Sequence, residues 1–185
     1  MGKFNFIETE LRGLIIIEPT IFEDNRGYFM ETFNNNDFAV LGLDMNFVQD
    51  NHSYSKKGVL RGMHFQKTKP QGKLVRVIKG EVYDVAVDLR KNSDTYKKWF
   101  GIYLSEYNKK QVYIPKEFAH GFLVTSDEAE LVYKCTDFYD PLDEGGFLYN
   151  DPTIRIEWPL IDEMKIILSI KDKCHPKFEQ INEYK

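Results

Sequence analysis

Apolar and polar residues alternate with a period of two through much of the chain, the spacing that places every second side chain on one face of a β-strand. Within residues 73–89, Val75 and Val77 oppose Leu74 and Ile78, Gly80 interrupts, and Tyr83, Val85, Val87 and Leu89 then share one side. Leu14, Ile15, Ile16 and Ile17 form a short apolar run ended by Pro19, and residues 101–104, 111–114 and 130–135 predict further strands. In the last of these Leu131, Tyr133 and Cys135 lie on one face and Lys134 on the other. Turn signals separate the runs: Asp24-Asn25-Arg26-Gly27, Lys79-Gly80-Glu81, Asn108-Lys109-Lys110 and Asp143-Glu144-Gly145-Gly146. Helical signals are few, at 35–41 before Gly42 and at 161–168. The pattern predicts an all-β sandwich or barrel with a few short peripheral helices, and 15% aromatic residues suit its core.

Composition narrows the picture further. A chain of 185 residues, 42% hydrophobic, predicts a single domain over 1–185, with the segment from about 160 to 185 packing over the barrel. A net charge of −4 with interspersed signs leaves no basic stripe for nucleic acid, so an anionic ligand needs a local cluster of cations. Cys135 and Cys174 are too few and too distant for a disulfide scaffold or a paired-cysteine zinc site, and predict reduced thiols in the cytoplasm. The N-terminal residues 1–8 lack a signal-peptide run, Phe6 stands where a myristoylated Gly2 needs Ser or Thr, and nothing approaches the roughly 20 apolar residues that span a bilayer. No membrane partner is expected.

The candidate chemistry is concentrated in residues 59–73, which place His64 and Lys73 on β-structure beside glycines, in a chain with four histidines. A neutral imidazole can take a proton near pH 7, and an ammonium can stabilise the negative charge left on an oxygen. Metal chemistry fits poorly, because barrels of this kind build their metal site from a His-x-His pair and the chain has none. His52 and His64 are well separated, His120 lies in a loop-like Phe-Ala-His-Gly, and His175 is near the tail.

Residues 22–31, 47–53, 59–66, 71–76, 84–88, Ile114-Pro115 with Phe118-Ala119-His120-Gly121-Phe122, and 168–172 form seven ordered blocks. Together they resemble the dTDP-4-dehydrorhamnose 3,5-epimerase family. The resemblance implies a cupin-like jelly roll, a homodimer, and no metal or organic cofactor. It implies an isomerase that inverts C3 and C5 of dTDP-4-dehydro-6-deoxy-D-glucose to give dTDP-4-dehydro-L-rhamnose. A relative inverting C3 alone or C5 alone is the alternative, and a non-catalytic sugar-binding module is the rival from another class.

By that resemblance His64 is the base, Asp172 the carboxylate behind it, Lys73 the cation facing the sugar carbonyl, and Tyr133 the acid on the opposite face. Tyr139 is a substitute for the acid or a sugar contact. Arg26, Arg61, His120 and Lys171 match positions around the diphosphate or sugar, and Glu31, Gln49, Asn51 and Glu144 match polar contacts to the substrate. In a regular strand Arg61 and His64 face opposite ways. Either a bulge at Gly62 corrects this or Arg61 serves a neighbouring subunit.

Overall fold

The computed structural model describes residues 3–42, 45–160 and 164–181, and in it the alternating segments pair into two antiparallel sheets. The six-stranded sheet runs β1 (Phe4–Glu8), β2 (Ile15–Pro19), β10 (Gln111–Ile114), β7 (Lys73–Lys79), β12 (Glu128–Cys135), β5 (Gln49–Lys56). The five-stranded sheet runs β13 (Glu144–Gly146), β6 (Leu60–Gln66), β11 (Phe118–Val124), β8 (Glu81–Asp88), β9 (Trp99–Ser105). A separate hairpin pairs β3 (Phe22–Asp24) with β4 (Gly27–Phe29) through the predicted Asp24-Asn25-Arg26-Gly27 turn. The two open sheets form the expected cupin-like jelly roll.

The main core lies between the sheets. Val75 and Val77 of β7, Val112 and Ile114 of β10, and Leu131 of β12 meet Val82 and Ala86 of β8, Leu104 of β9, and Phe118, Phe122 and Val124 of β11. The period-two reading of β8 holds: Val85, Val87 and Leu89 pack with Tyr83 on the outer face of the five-stranded sheet, against Phe147, Ile154 and Phe178. Helix α1 (Asn35–Phe38) continues as a 3-10 turn over Ala39–Leu41 and ends at Gly42 with φ +61°, as the glycine predicted. Its Phe38 is buried among Phe4, Phe6 and Phe33 outside the six-stranded sheet.

Three expectations change. Of Asp143-Glu144-Gly145-Gly146 only Asp143 lies in a turn, and Glu144, Gly145 and Gly146 form an edge strand paired to Gln66, Phe65 and His64. Its glycines answer to close packing, because a Cβ on Gly145 would lie 2.7 Å from the Phe65 ring. His120 sits in the middle of β11, where the flanking glycine misled a loop reading. Of the helix expected at 161–168, residues 161–163 lie outside the described residues, and residues 164–168 are extended. There Ile167 bridges Val59 in parallel, with Ile167 N–H to Gly58 O at 2.8 Å and Leu60 N–H to Ile167 O at 3.0 Å. The helix forms just beyond, as α2 (Ile170–Lys173). Residues 182–185 of the expected C-terminal cover, and Met1 and Gly2, also lie outside the described residues. Among the described residues no helix is long and apolar enough to cross a membrane.

Candidate active site

His64 and Lys73 are close in sequence but belong to opposite sheets. Lys73 opens β7, and the register pairs it with Cys135 of β12 and Val75 with Tyr133. Lys73, Tyr133 and Cys135 therefore share the inner face of the six-stranded sheet, looking across at His64 on β6. Between them lies a cavity of about 330 Å³ lined by Gln49, Asn51, His64, Gln66, Lys73 and Tyr133, with Cys135, Tyr139 and Glu144 completing the wall.

The C-terminal segment supplies the partner of His64. The Val59–Ile167 bridge runs the chain alongside β6, and Ser169 then caps α2 by accepting from Asp172 N–H at 3.0 Å. The Ser169 hydroxyl also donates to Asp172 Oδ2 at 2.8 Å, fixing the carboxylate so that Oδ1 lies 2.5 Å from His64 Nε2. Burial raises the Asp172 carboxyl, but His175, His64 and Ser169 together outweigh it and hold the group well below the usual carboxylate range. Asp172 is therefore an acceptor only, and Nε2 carries the shared proton. Burial pulls the His64 imidazole below its ordinary value against the pull of Asp172, leaving it neutral with a free lone pair on Nδ1.

Lys73 and Tyr133 are uncommitted. Among the described residues neither side chain makes an ion pair or hydrogen bond. Burial pulls the Lys73 ammonium below its ordinary value, with Cys135, Asp84 and Glu144 opposing. Burial likewise lifts the Tyr133 phenol, and the Arg61 charge partly offsets the rise. A cation and a hydroxyl held without partners in a half-buried wall are available to a ligand oxygen or carbon.

Tyr139 is differently placed: its hydroxyl donates to Glu144 Oε2 at 2.6 Å, and this bond with burial pushes its pKa up to about 12. Lys171 pairs with the same Glu144 oxygen. Gln49 accepts from Tyr139 N–H at 2.9 Å and donates to Asn51 Oδ1 at 2.9 Å, and Asn51 reaches Cys135 Sγ at 3.5 Å.

Arg61 is on the inner side. Its partner on β11 is Phe122 while that of His64 is His120, so β6 carries one residue more than β11 between these pairs. Gly62 makes the bulge possible with φ +136° and a backbone so close to β11 that a Cβ would lie 2.6 Å from Gly121 Cα. The Arg61 guanidinium donates twice to the buried Ser55 hydroxyl, at 3.1 and 3.0 Å. His120, the cross-strand partner of His64, is buried with Nε2 2.8 Å from Asp84 Oδ2 and is not among the residues that line the cavity. Arg26 and Glu31 are not brought to the cavity either. Arg26 pairs with Asp24 on the β3–β4 hairpin, and Glu31 pairs with Lys3.

The model of the family described as dTDP-4-dehydrorhamnose 3,5-epimerase matches residues 8–180. A curated relative of that name from Methanothermobacter thermautotrophicus is 57% identical over 173 residues, covering 94% of this chain and 94% of its own. The chain belongs to the dTDP-4-dehydrorhamnose 3,5-epimerase family. The crystal structure of such an epimerase from Elizabethkingia anophelis superposes with a TM-score of 0.92 at 48% identity, covering 97% of this chain and 99% of the other. A dTDP-6-deoxy-D-glucose-3,5-epimerase from Legionella pneumophila, in complex with dTDP-4-keto-L-rhamnose, gives 0.93 at 48% identity, covering 97% and 95%.

Several residues around this epimerase-family cavity escaped the sequence reading. Cys135 shares the period-two face of Tyr133, so its place was implicit. Asp84 is a carboxylate in an apolar run, and burial of such a group signals a partner, here His120. Gln66 bonds Lys69 O, Phe138 O and Asp140 N–H, and so stitches two loops that nothing local links. His175 comes within 3.6 Å of Asp172 Oδ1. Together with His64 it gives three side chains whose ligand atoms lie within 4.8 Å of one another.

Proposed function

We propose that this chain inverts C3 and C5 of dTDP-4-dehydro-6-deoxy-D-glucose, giving dTDP-4-dehydro-L-rhamnose. The observation that carries the reading is the division of labour between the sheets: a neutral imidazole stands on one, and an unpaired ammonium and phenol stand on the other. A sugar ring between them can lose a proton on one face and gain one on the other. The C4 ketone acidifies both neighbouring carbons, so no cofactor is required.

In this mechanism Nδ1 of His64 removes the proton from C3 or C5. Asp172 keeps the proton on Nε2 and stabilises the imidazolium. Lys73 stabilises the enolate on O4, where low dielectric strengthens its charge. Tyr133 delivers the proton that completes inversion. Tyr139, Gln49, Asn51, Glu144, Lys171 and Arg61 bind the sugar and diphosphate, and His120, held by Asp84, supports His64 from the neighbouring strand. Arg26 and Glu31 serve a site across a subunit boundary. A homodimer is supported by the β3–β4 hairpin, where Phe22, Tyr28 and Phe29 are 55%, 56% and 65% exposed and suit contact with a second copy. The chain acts as a single domain, since both sheets and α2 meet at the cavity, and it works in the cytoplasm, where the free Cys135 and Cys174 stay reduced.

Incubation with dTDP-4-dehydro-6-deoxy-D-glucose in deuterated water, followed by NMR, tests the assignment. Label at both C3 and C5 is expected. Label at one carbon alone would make the chain a single-carbon epimerase, and tight binding without label would make it a binding module.

A further inference from the structure

His175 is the histidine that the epimerase reading leaves without a task. Its side chain is 10% exposed, and its ring lies over Gly146, where a Cβ would come within 2.3 Å of Cε1. Nε2 is closed off from solvent and makes no hydrogen bond. The Asp172 Oδ1 it faces is 3.6 Å away, beyond hydrogen-bond reach. A buried nitrogen without a hydrogen-bond partner is unfavourable unless something else engages it. Beyond that carboxylate stands His64, with the two imidazole rings edge to face and their centroids 5.4 Å apart.

We propose that His64, Asp172 and His175 form an inhibitory site for a divalent transition metal, with Zn²⁺ as the ion that fits best. Two imidazoles and a carboxylate are a ligand set that zinc accepts, with a fourth position left for water. Ligands about 2 Å from zinc stand roughly 3.3 Å apart at tetrahedral angles. The three atoms already lie within 4.8 Å of one another, and the His64–Asp172 pair has to open only from 2.5 Å to admit the ion. Ser169 keeps Asp172 Oδ2 occupied and leaves Oδ1 to the metal.

The same coordination disables the base. His64 must give the metal the Nε2 lone pair, so the proton now donated to Asp172 leaves for solvent and Nδ1 takes one up. The exchange is neutral in protons but removes the Nδ1 lone pair that would attack the sugar. The sugar cavity itself stays open, so zinc lowers kcat and leaves KM nearly unchanged. The inhibition rests on the epimerase reading, whereas the binding does not.

Calorimetric titration of the full chain with ZnCl₂ tests the binding, comparing wild type, His175→Gln and Cys174→Ser. The last removes the exposed thiol beside the site as a competing ligand. Expected are one ion per chain, an affinity weakened at least about tenfold in His175→Gln, and no change in Cys174→Ser. His175→Gln should also resist zinc, keeping its own metal-free rate when zinc is added. Equal affinity in His175→Gln, or loss of binding in Cys174→Ser, overturns the site. Should His175→Gln fail to fold, histidine ring NMR on the wild type decides. Zinc must perturb His64 and His175; perturbation of His52 or His120 in their place refutes the assignment. Binding through these residues with no epimerisation at any metal level leaves the site standing and defeats the functional reading alone.

Discussion

His64 Nε2 donates to Asp172 Oδ1 across 2.5 Å of space and 108 residues of chain. The pairing depends on a short parallel bridge between Val59 and Ile167 and on the Ser169 cap of α2, which delivers a carboxylate from an irregular C-terminal segment to the inner face of a strand. Since Asp172 is ionised and can only accept, the pair fixes the imidazole tautomer as well as its orientation.

Asp172→Asn tests that second role. An amide can donate to Nε2, which would place the His64 proton on Nδ1 and remove the basic lone pair. Wash-in of deuterium at C3 and C5 should fall by roughly 10³-fold with little change in KM. His64→Asn should abolish exchange as completely while nucleotide binding persists. A near-normal rate in either variant would remove the dyad from the reaction.

The pH profile of kcat/KM should be asymmetric about its usual limits. Burial pulls His64 below the ordinary imidazole value of 6.5, and the protonated ring cannot act as base. The acid limb should therefore fall below pH 6.5. By the same linkage, the unfolded chain takes up the His64 proton first, so stability is complete above that value and declines as pH drops through the window below it. On the alkaline side burial pulls Lys73 below 10.5 while Tyr133 is raised above 10.0. In the mechanism above, loss of the Lys73 charge sets the alkaline limb, and Lys73→Arg should be slower but lose that limb, because Arg stays charged. An unchanged limb in Lys73→Arg would assign it elsewhere.

The strands of the sandwich were legible because one buried face leaves a period-two record, as in Tyr83, Val85 and Val87. The facing of Tyr133 followed from the same rule. Arg61 did not, because a bulge adds one residue and inverts every side chain before it, and only the approach of Gly62 to Gly121 reveals it. Asp143-Glu144-Gly145-Gly146 carried turn composition for a reason that alternation cannot express, namely rings packed where Cβ atoms would stand. Ser169-Ile170-Lys171-Asp172 did contain its signal. A serine followed three residues later by an acid is the spacing of a helix N-terminal cap, and it marked α2 better than the apolar run before it.

Tyr133 and Tyr139 should separate cleanly. The Tyr133 hydroxyl is unpaired, so Tyr133→Phe should reduce net inversion roughly 10²- to 10⁴-fold while proton loss at C5 suffers less. Tyr139 donates to Glu144 and has its pKa pushed up to about 12, which makes it a poor acid. Tyr139→Phe should raise KM and leave the ratio of inversion to exchange unchanged. Comparing deuterium wash-in with product formation measures both, and a lowered ratio in Tyr139→Phe would transfer the acid role to it.

The dyad also has a dependence on distant packing. Phe178 is 1% exposed, stacks edge-on against Phe147 at 5.2 Å, and ties the chain after α2 to the outer face of the five-stranded sheet. Its amide donates to the buried Asp151 at 2.8 Å, so the segment is held by side chain and backbone together. Phe178→Ala should cost about 3–5 kcal/mol, read as a lowered thermal midpoint. Because Asp172 hangs from this anchor, exchange at C3 and C5 should fall as well, at temperatures where circular dichroism still reports an intact sandwich. Phe178→Leu, which keeps most of the volume, should recover the larger part of both. Full activity in Phe178→Ala despite a lowered midpoint would show that the Val59–Ile167 bridge and the Ser169 cap hold Asp172 on their own.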